Sequence, residues 1–266
     1  MIIGIDHAVI GAYDFDAAIA AYERLLDRRV SHTYENDGVA TALIVTSNMA
    51  IEIMAPRGDG EMAQRLRTAI EASGEGLMSL AFAVSGIEAA HRRMERVGLA
   101  PDPISDGEAG ALRWRRFRAN TEAANGVRLF FIERDAPLRD DAQSAVPGLD
   151  HLVIRTNDME HAAALYGARL GLDMRLDRRV GDQRFMFFRC GDLVVEIVEE
   201  RDNAHRLWGL SWRVRDAVQE QARLALFGLN VSEVRTGAKP GTRVFTVRDQ
   251  TGGVPTLMIE ASQTRD

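Results

Sequence analysis

At 266 residues the chain has room for one large domain or two of about 130. Its 46% apolar and 27% charged residues match ordinary folded domains and exclude a disordered chain, while a net charge of −6 argues against nucleic acid as a partner. No apolar run approaches the ~18 residues of a spanning helix, and a single cysteine, Cys190, excludes an internal disulfide and a thiolate-rich zinc site. Met1-Ile2-Ile3-Gly4 enters a strand pattern with no basic leader, so a cytoplasmic chain without a membrane partner is expected.

Residues 3 to 10 alternate and are rich in Ile and Val, as a strand should be, and Asp14 caps an amphipathic run from Phe15 to Leu26. Three extended segments follow, near Arg29–Tyr34, Ala40–Thr46 and Ala50–Met54, separated by Asn36-Asp37-Gly38 and Ser47-Asn48, which are turn chemistry. The unit is therefore βαβββ. A connecting helix is predicted over Glu61–Ala72, then a strand over Leu77–Val84, a helix over Ile87–Val97 closed by Gly98, and strands near Trp114–Arg118 and Val127–Glu133. Pro101 to Gly110 reads as a loop. Ala136 to Val146 is polar and aperiodic, and is read as a linker.

Beyond the linker the design starts again. Gly148-Leu149-Asp150-His151-Leu152-Val153-Ile154 stands against Gly4-Ile5-Asp6-His7-Ala8-Val9-Ile10, and the pairs His7/His151, Asp14/Asp158, Tyr22/Tyr166, Leu26/Leu170 and Glu52/Glu196 are each 144 residues apart. A constant shift over such a length means one supersecondary unit used twice. A helix is expected over Met159–Leu170, with strands at Leu149–Arg155, Asp173–Asp177, Arg184–Arg189 and Leu193–Val198. A fourth unit follows from Leu207, with a helix over Ala217–Phe227. It matches the second: Leu80/Leu210, Phe82/Trp212, Val84/Val214, Gly98/Gly228 and Leu99/Leu229 are each 130 apart. One apolar sheet face per module cannot be buried alone, so modules must pair, and the curled sheets of such pairs enclose a small-molecule cup.

Four βαβββ modules, with Asp-His in the first strand and Glu in the last, resemble the vicinal oxygen chelate superfamily of glyoxalase I, bleomycin resistance proteins and extradiol dioxygenases. The resemblance rests on Ile5 to Ile10, Leu149 to Ile154, the Gly-Leu that ends each helix in modules two and four, and Gly253-Val254-Pro255-Thr256-Leu257. It implies an α+β fold: four modules paired into two glyoxalase-like domains with cup-shaped mixed sheets. The N-terminal domain would span residues 1–135 (modules 1–56 and 76–135), the linker 136–146 and the C-terminal domain 147–262 (modules 147–200 and 207–262).

The resemblance also implies a site. His7, Glu52, His151 and Glu196 match the positions that hold a divalent metal (Fe, Mn, Ni or Zn) in metal-using members, where imidazole and carboxylate suit such an ion. Modules two and four depart from the pattern, with Ser79, Gly209, Phe130 and Leu257 at those places. The four ligands converge only if module one faces module three, within the chain or across a homodimer. Glu133 and Glu260 lie three residues beyond the ligand position, on the opposite strand face, and are given no metal role. Without a metal, a strand Glu among Ile and Val would titrate high and serve as a general base, which makes Glu52 and Glu196 the catalytic candidates. Arg155 and Arg213 fall at inward spacing and are candidates for binding a substrate carboxylate or enolate. His32, His91, His161 and His205 read as solvent-exposed, and Met174, Phe185, Met186, Phe187 and Phe188 as core before pocket. The expected function is a glyoxalase-like lyase, isomerase or dioxygenase acting on a small oxygen-rich molecule, with one divalent metal or none. The alternative is a metal-free protein that binds or sequesters a small molecule.

Overall fold

The computed structural model describes residues 1–140, 142–201 and 205–261; Asp141 of the expected linker and Ser262 at the expected domain end lie outside them. Module one comprises β1 (Ile2–Gly11), α1 (Phe15–Leu26), β2 (His32–Asn36), β3 (Val39–Val45) and β4 (Ala50–Pro56), followed by the connecting helix α2 (Glu61–Ser73). Module two has β5 (Gly76–Val84), α3 (Ile87–Arg96), β6 (Ser105–Ala109), β7 (Leu112–Arg118) and β8 (Leu129–Arg134). Module three has β9 (Leu149–Thr156), α4 (Met159–Ala163) running on into a π-helical turn (Ala164–Arg169), β10 (Asp173–Val180), β11 (Gln183–Cys190) and β12 (Leu193–Glu199). Module four has β13 (Arg206–Val214), α5 (Ala217–Leu226), β14 (Arg235–Thr236), β15 (Arg243–Val247) and β16 (Thr256–Glu260). The strands form two eight-stranded mixed sheets of identical design, β2-β3-β4-β1-β5-β8-β7-β6 and β10-β11-β12-β9-β13-β16-β15-β14. Among the described residues no helix is long and apolar enough to cross a membrane.

Local chemistry sets the helix ends. Asp14 accepts the Ala17 N–H at 2.9 Å, and Asp216 accepts the N–H groups of Val218 and Gln219 at 2.8 and 3.0 Å, each satisfying amides that the first helical turn leaves without partners. Glu133 accepts from Gly86 and Ile87, and Glu260 from Ala217. The even-numbered modules thus direct their last-strand glutamate to the helix N-terminus. Gly98, at φ +72°, ends α3 in the left-handed region that glycine enters freely.

By its internal contacts the chain forms two compact units. The first is Met1–Ala8, Met78–Leu138 and His151–Trp208, and so contains most of modules two and three. Inside it the C-terminus of one helix is closed by an arginine from the other. Arg169 donates to the carbonyls of Val97, Ala123 and Gly98 at 2.9, 3.0 and 2.7 Å, and Arg93 reaches back to those of Ala168 and Arg169 at 3.4 and 3.3 Å. A cation at a helix C-terminus also suits the dipole. The second unit is Val9–Leu77, Arg139–Asp150 and the chain from Gly209. There Arg28, almost wholly buried, donates to Asp140 at 2.6 Å and to the carbonyls of Asp140 and Ala142, each at 3.2 Å, which pins the polar segment read as a linker onto the end of α1.

Three expectations are corrected. Part of the Pro101–Gly110 loop is strand: Ser105–Ala109 pairs antiparallel with β7, and Gly107 lies under the indole of Trp114, where a Cβ would collide with it. Polar composition hid that strand because its order comes from its partner. The helix of module three changes at Ala164 to a wider turn in which Leu170 N–H bonds to Leu165 C=O. His205 is buried: its Nε2 lies 2.9 Å from the hydroxyl of fully buried Tyr166, and burial pushes its pKa down to about 4.

Candidate functional site

In module three, strand register places the candidate residues. Val194 pairs with His151, Glu196 with Val153 and Val198 with Arg155. On the next strand Phe187 pairs with Glu196 and Phe185 with Val198, and beyond it Leu176 pairs with Phe187 and Arg178 with Phe185. Residues in register share a face. The intervening residues Leu152, Ile154, Met186, Phe188, Val195 and Ile197 are each 0% exposed and form the core on the other side. The outer face therefore carries His151, Glu196 and Arg155 among Val153, Val194, Val198, Phe185 and Phe187.

That face is open. Leu176 and Val180 are 45% and 56% exposed, and Phe185 and Phe187 are half-buried. At its centre His151 Nε2 lies 3.2 Å from Glu196 Oε2, with both side chains mostly but not wholly covered. Four residues along each strand a second ion pair repeats the arrangement: Arg155 Nη1 donates to Glu200 Oε1 at 2.6 Å. The Arg155 guanidinium carbon lies over Trp208, 3.7 Å from the ring centroid, and its Nε is buried with no partner among the described residues. Glu200 and Trp208 were missed from sequence. The signal for Glu200 was present, because it repeats the Glu196 position at the same strand face as Arg155 repeats that of His151.

The corresponding face of module one is sealed. Glu52 pairs in register with Leu43, and Leu43, Thr41 and Val45 are 1%, 2% and 6% exposed. Glu52 itself is buried, with the Tyr34 hydroxyl 3.4 Å from its Oε1. His7 is buried too, and its Nδ1 lies 2.6 Å from Asp6 Oδ1. Asp6 also receives Arg134, whose Nε donates to Oδ2 at 2.8 Å and Nη2 to Oδ1 at 2.9 Å, while that guanidinium sits 5.2 Å from the Trp114 ring centroid. Burial pushes the Asp6 carboxyl up, but the hydrogen bond and charge of His7 and those of Arg134 outweigh it and hold the group at about 2. Arg213, in the second unit, directs Nε to Asp150 Oδ1 at 3.3 Å.

The structure therefore brings His151 and Glu196 together, with Arg155 on the same face. Among the described residues no group of three or more His, Cys, Asp or Glu could hold a metal ion. Module three supplies one imidazole and one carboxylate, bonded to each other, where a catalytic metal usually needs three protein donors. These residues do not fit the divalent ion that the resemblance implied.

The chain matches the family described as glyoxalase-like domain over residues 5–171, and the glyoxalase/bleomycin resistance protein/dioxygenase superfamily over residues 148–254. The first match spans more than half of the chain, and the protein belongs to the glyoxalase-like domain family. Among solved structures it resembles a mutant 4-hydroxymandelate synthase from Streptomyces coelicolor, with a TM-score of 0.76 and 14% identity over 100% of this chain and 95% of that one. It also resembles a xylose isomerase-like TIM barrel/4-hydroxyphenylpyruvate dioxygenase fusion protein, with a TM-score of 0.73 and 14% identity over 100% of this chain and 50% of that one. A hypothetical protein from Staphylococcus aureus matches with a TM-score of 0.67 and 9% identity over 98% of this chain and all of that one. At such identities the likeness is one of fold. No curated protein matches the sequence.

Proposed function

We propose that the protein transfers a proton on a small oxygen-bearing molecule held against the open face of module three, as an isomerase or lyase whose acid–base pair is Glu196 and His151. The observation that carries this is the 3.2 Å contact between the two side chains, each still partly exposed, on a strand face that also presents the half-buried rings of Phe185 and Phe187. Glu196 would take a proton from a carbon next to a carbonyl, and the C–H electron pair would pass to the carbonyl oxygen. Once protonated, Glu196 is a poorer acceptor, and the His151 Nε2–H is released toward the oxygen on which negative charge collects. Return of the proton from Glu196 completes the cycle. A bound molecule covering Phe185 and Phe187 would exclude water and strengthen both interactions.

A metal-free binding role is the second reading, and the exposure of Leu176 and Val180 beside the two phenylalanines favours it. Incubation with a panel of 2-oxo acids and α-hydroxyketones in deuterated water separates the two. The first reading requires deuterium in at least one compound with the full-length protein, and its loss in Glu196→Gln with binding retained. Binding without exchange across the panel would leave only the second, and exchange that survives Glu196→Gln would overturn the assignment of Glu196 as the base.

A further inference from the structure

The geometry points to a substrate class: a small carboxylate in which an apolar stretch several carbons long separates the acid group from the reacting carbon, with Arg155 as the acid-binding residue and Glu200 as its stand-in. This takes the His151–Glu196 face as the binding site, as above. The two ion pairs on that face, His151–Glu196 and Arg155–Glu200, are displaced by four residues along both strands, or about 13 Å at ~3.3 Å per residue. Between them lie Val153 and Val198, only 6% and 7% exposed, so the apolar surface open to a ligand there is that of Phe185 and Phe187 on the next strand. A ligand reaching both polar ends must be apolar in the middle, and the long arginine side chain shortens the distance that its carbons have to cover.

Arg155 is prepared for a planar acid. Its guanidinium carbon lies over the Trp208 ring at 3.7 Å, a cation–π contact that limits where the fork can move. Glu200 occupies the fork through Oε1 at 2.6 Å, and its Oε2 receives Arg206 at 3.2 Å. Glu200 therefore has a second cation to fall back on when an incoming carboxylate takes its place on Arg155. Their ion pair lowers the Glu200 pKa: burial raises it, but the hydrogen bonds and charges of Arg206 and Arg155 outweigh that. The side chain is charged and keeps the arginine neutralised until a ligand arrives.

Equilibrium dialysis of the full chain with octanoate, octanamide and acetate tests this without turnover, so failure of the deuterium-exchange reading and failure of this one are distinguishable. Octanoate should bind more tightly than octanamide by roughly tenfold or more, the weight of one charge-assisted hydrogen bond. Arg155→Met should erase that ratio, and Glu200→Gln should tighten octanoate by removing the competing carboxylate while leaving octanamide unchanged. Should Arg155→Met fail to fold, Glu200→Gln carries the test alone. Equal binding of octanoate and octanamide by the unaltered protein, a preference that survives Arg155→Met, weaker octanoate binding in Glu200→Gln, or acetate bound as well as octanoate would each overturn the assignment.

Discussion

Replacing Asp6 with asparagine removes the carboxylate that neutralises Arg134 and holds the His7 ring, and keeps the shape. The Arg134 and Asp6 side chains are each only 6% exposed, so solvent cannot take over the lost pairing. The Asp6 carboxyl titrates at about 2 in the fold against an ordinary 3.8, and that depression corresponds to roughly 2.4 kcal/mol of stability. Because the folded value is the lower one, this contribution is complete above pH 3.8 and disappears as pH falls through about 2. Removing one partner of a buried pair costs more than the linkage figure, about 3–5 kcal/mol, because the other charge is left uncompensated. Urea unfolding at pH 7, followed by circular dichroism, should therefore show Asp6→Asn losing about 2.5–5 kcal/mol. The double variant Asp6→Leu with Arg134→Met should recover most of the loss, since no charge is then stranded. A single-variant cost below about 1 kcal/mol, in the range of exposed pairs, would show that the network is not closed to water and refute the reasoning.

Three further outcomes follow from buried or capping groups. His205 should make the protein acid-sensitive: between pH 6.5 and about 4 the unfolded chain takes up a proton that the buried imidazole refuses, so stability should fall across that window, and His205→Gln should flatten the fall. The size of the effect is about 3 kcal/mol, readable from urea midpoints at successive pH values. Cys190 is 2% exposed, and burial, with the charge of Asp192, pushes its thiol up to about 12, so a maleimide should label it only after denaturation. Arg169→Ala should lower stability by about 2 kcal/mol, because three carbonyls lose a charged donor, whereas Arg169→Lys should lose less than that.

The repeat made most of the fold legible. A constant shift between His7 and His151 and between Glu52 and Glu196 reports a chain built twice, and the cap Asp14 marks a helix start that local hydrogen bonding alone decides. What depends on a neighbour stayed hidden. Ser105–Ala109 has no strand pattern of its own and is ordered by β7. His205 sits in a polar stretch, Asp202-Asn203-Ala204, that gives no hint of burial against Tyr166. Of the proposed site, the His151–Glu196 pair could be read from spacing. The contact of Arg155 with Trp208 could not, because it joins β9 to the start of β13 across a distance in sequence that no periodicity spans.

The two copies of the His/Glu motif now stand in different surroundings, and that difference can be tested on one substitution made twice. Glu52 is surrounded by Leu43, Thr41 and Val45, all nearly inaccessible, whereas Glu196 stands on a face where phenylalanine rings are half-exposed. A polar group inside a closed environment is committed to its partners, and changing it from carboxylate to amide disturbs hydrogen bonds that water cannot replace. The Glu196 side chain, 14% exposed, keeps contact with water that can replace part of what is lost. Glu52→Gln should therefore cost stability, about 1–3 kcal/mol, and leave any deuterium exchange of the folded fraction intact. Glu196→Gln should cost less than about 0.5 kcal/mol and remove the exchange. Urea unfolding and isotope incorporation on both variants decide the matter. If Glu196→Gln proves the more destabilising of the two, the module-three pair is part of the fold's scaffold, and the chemistry assigned to it belongs elsewhere in the molecule.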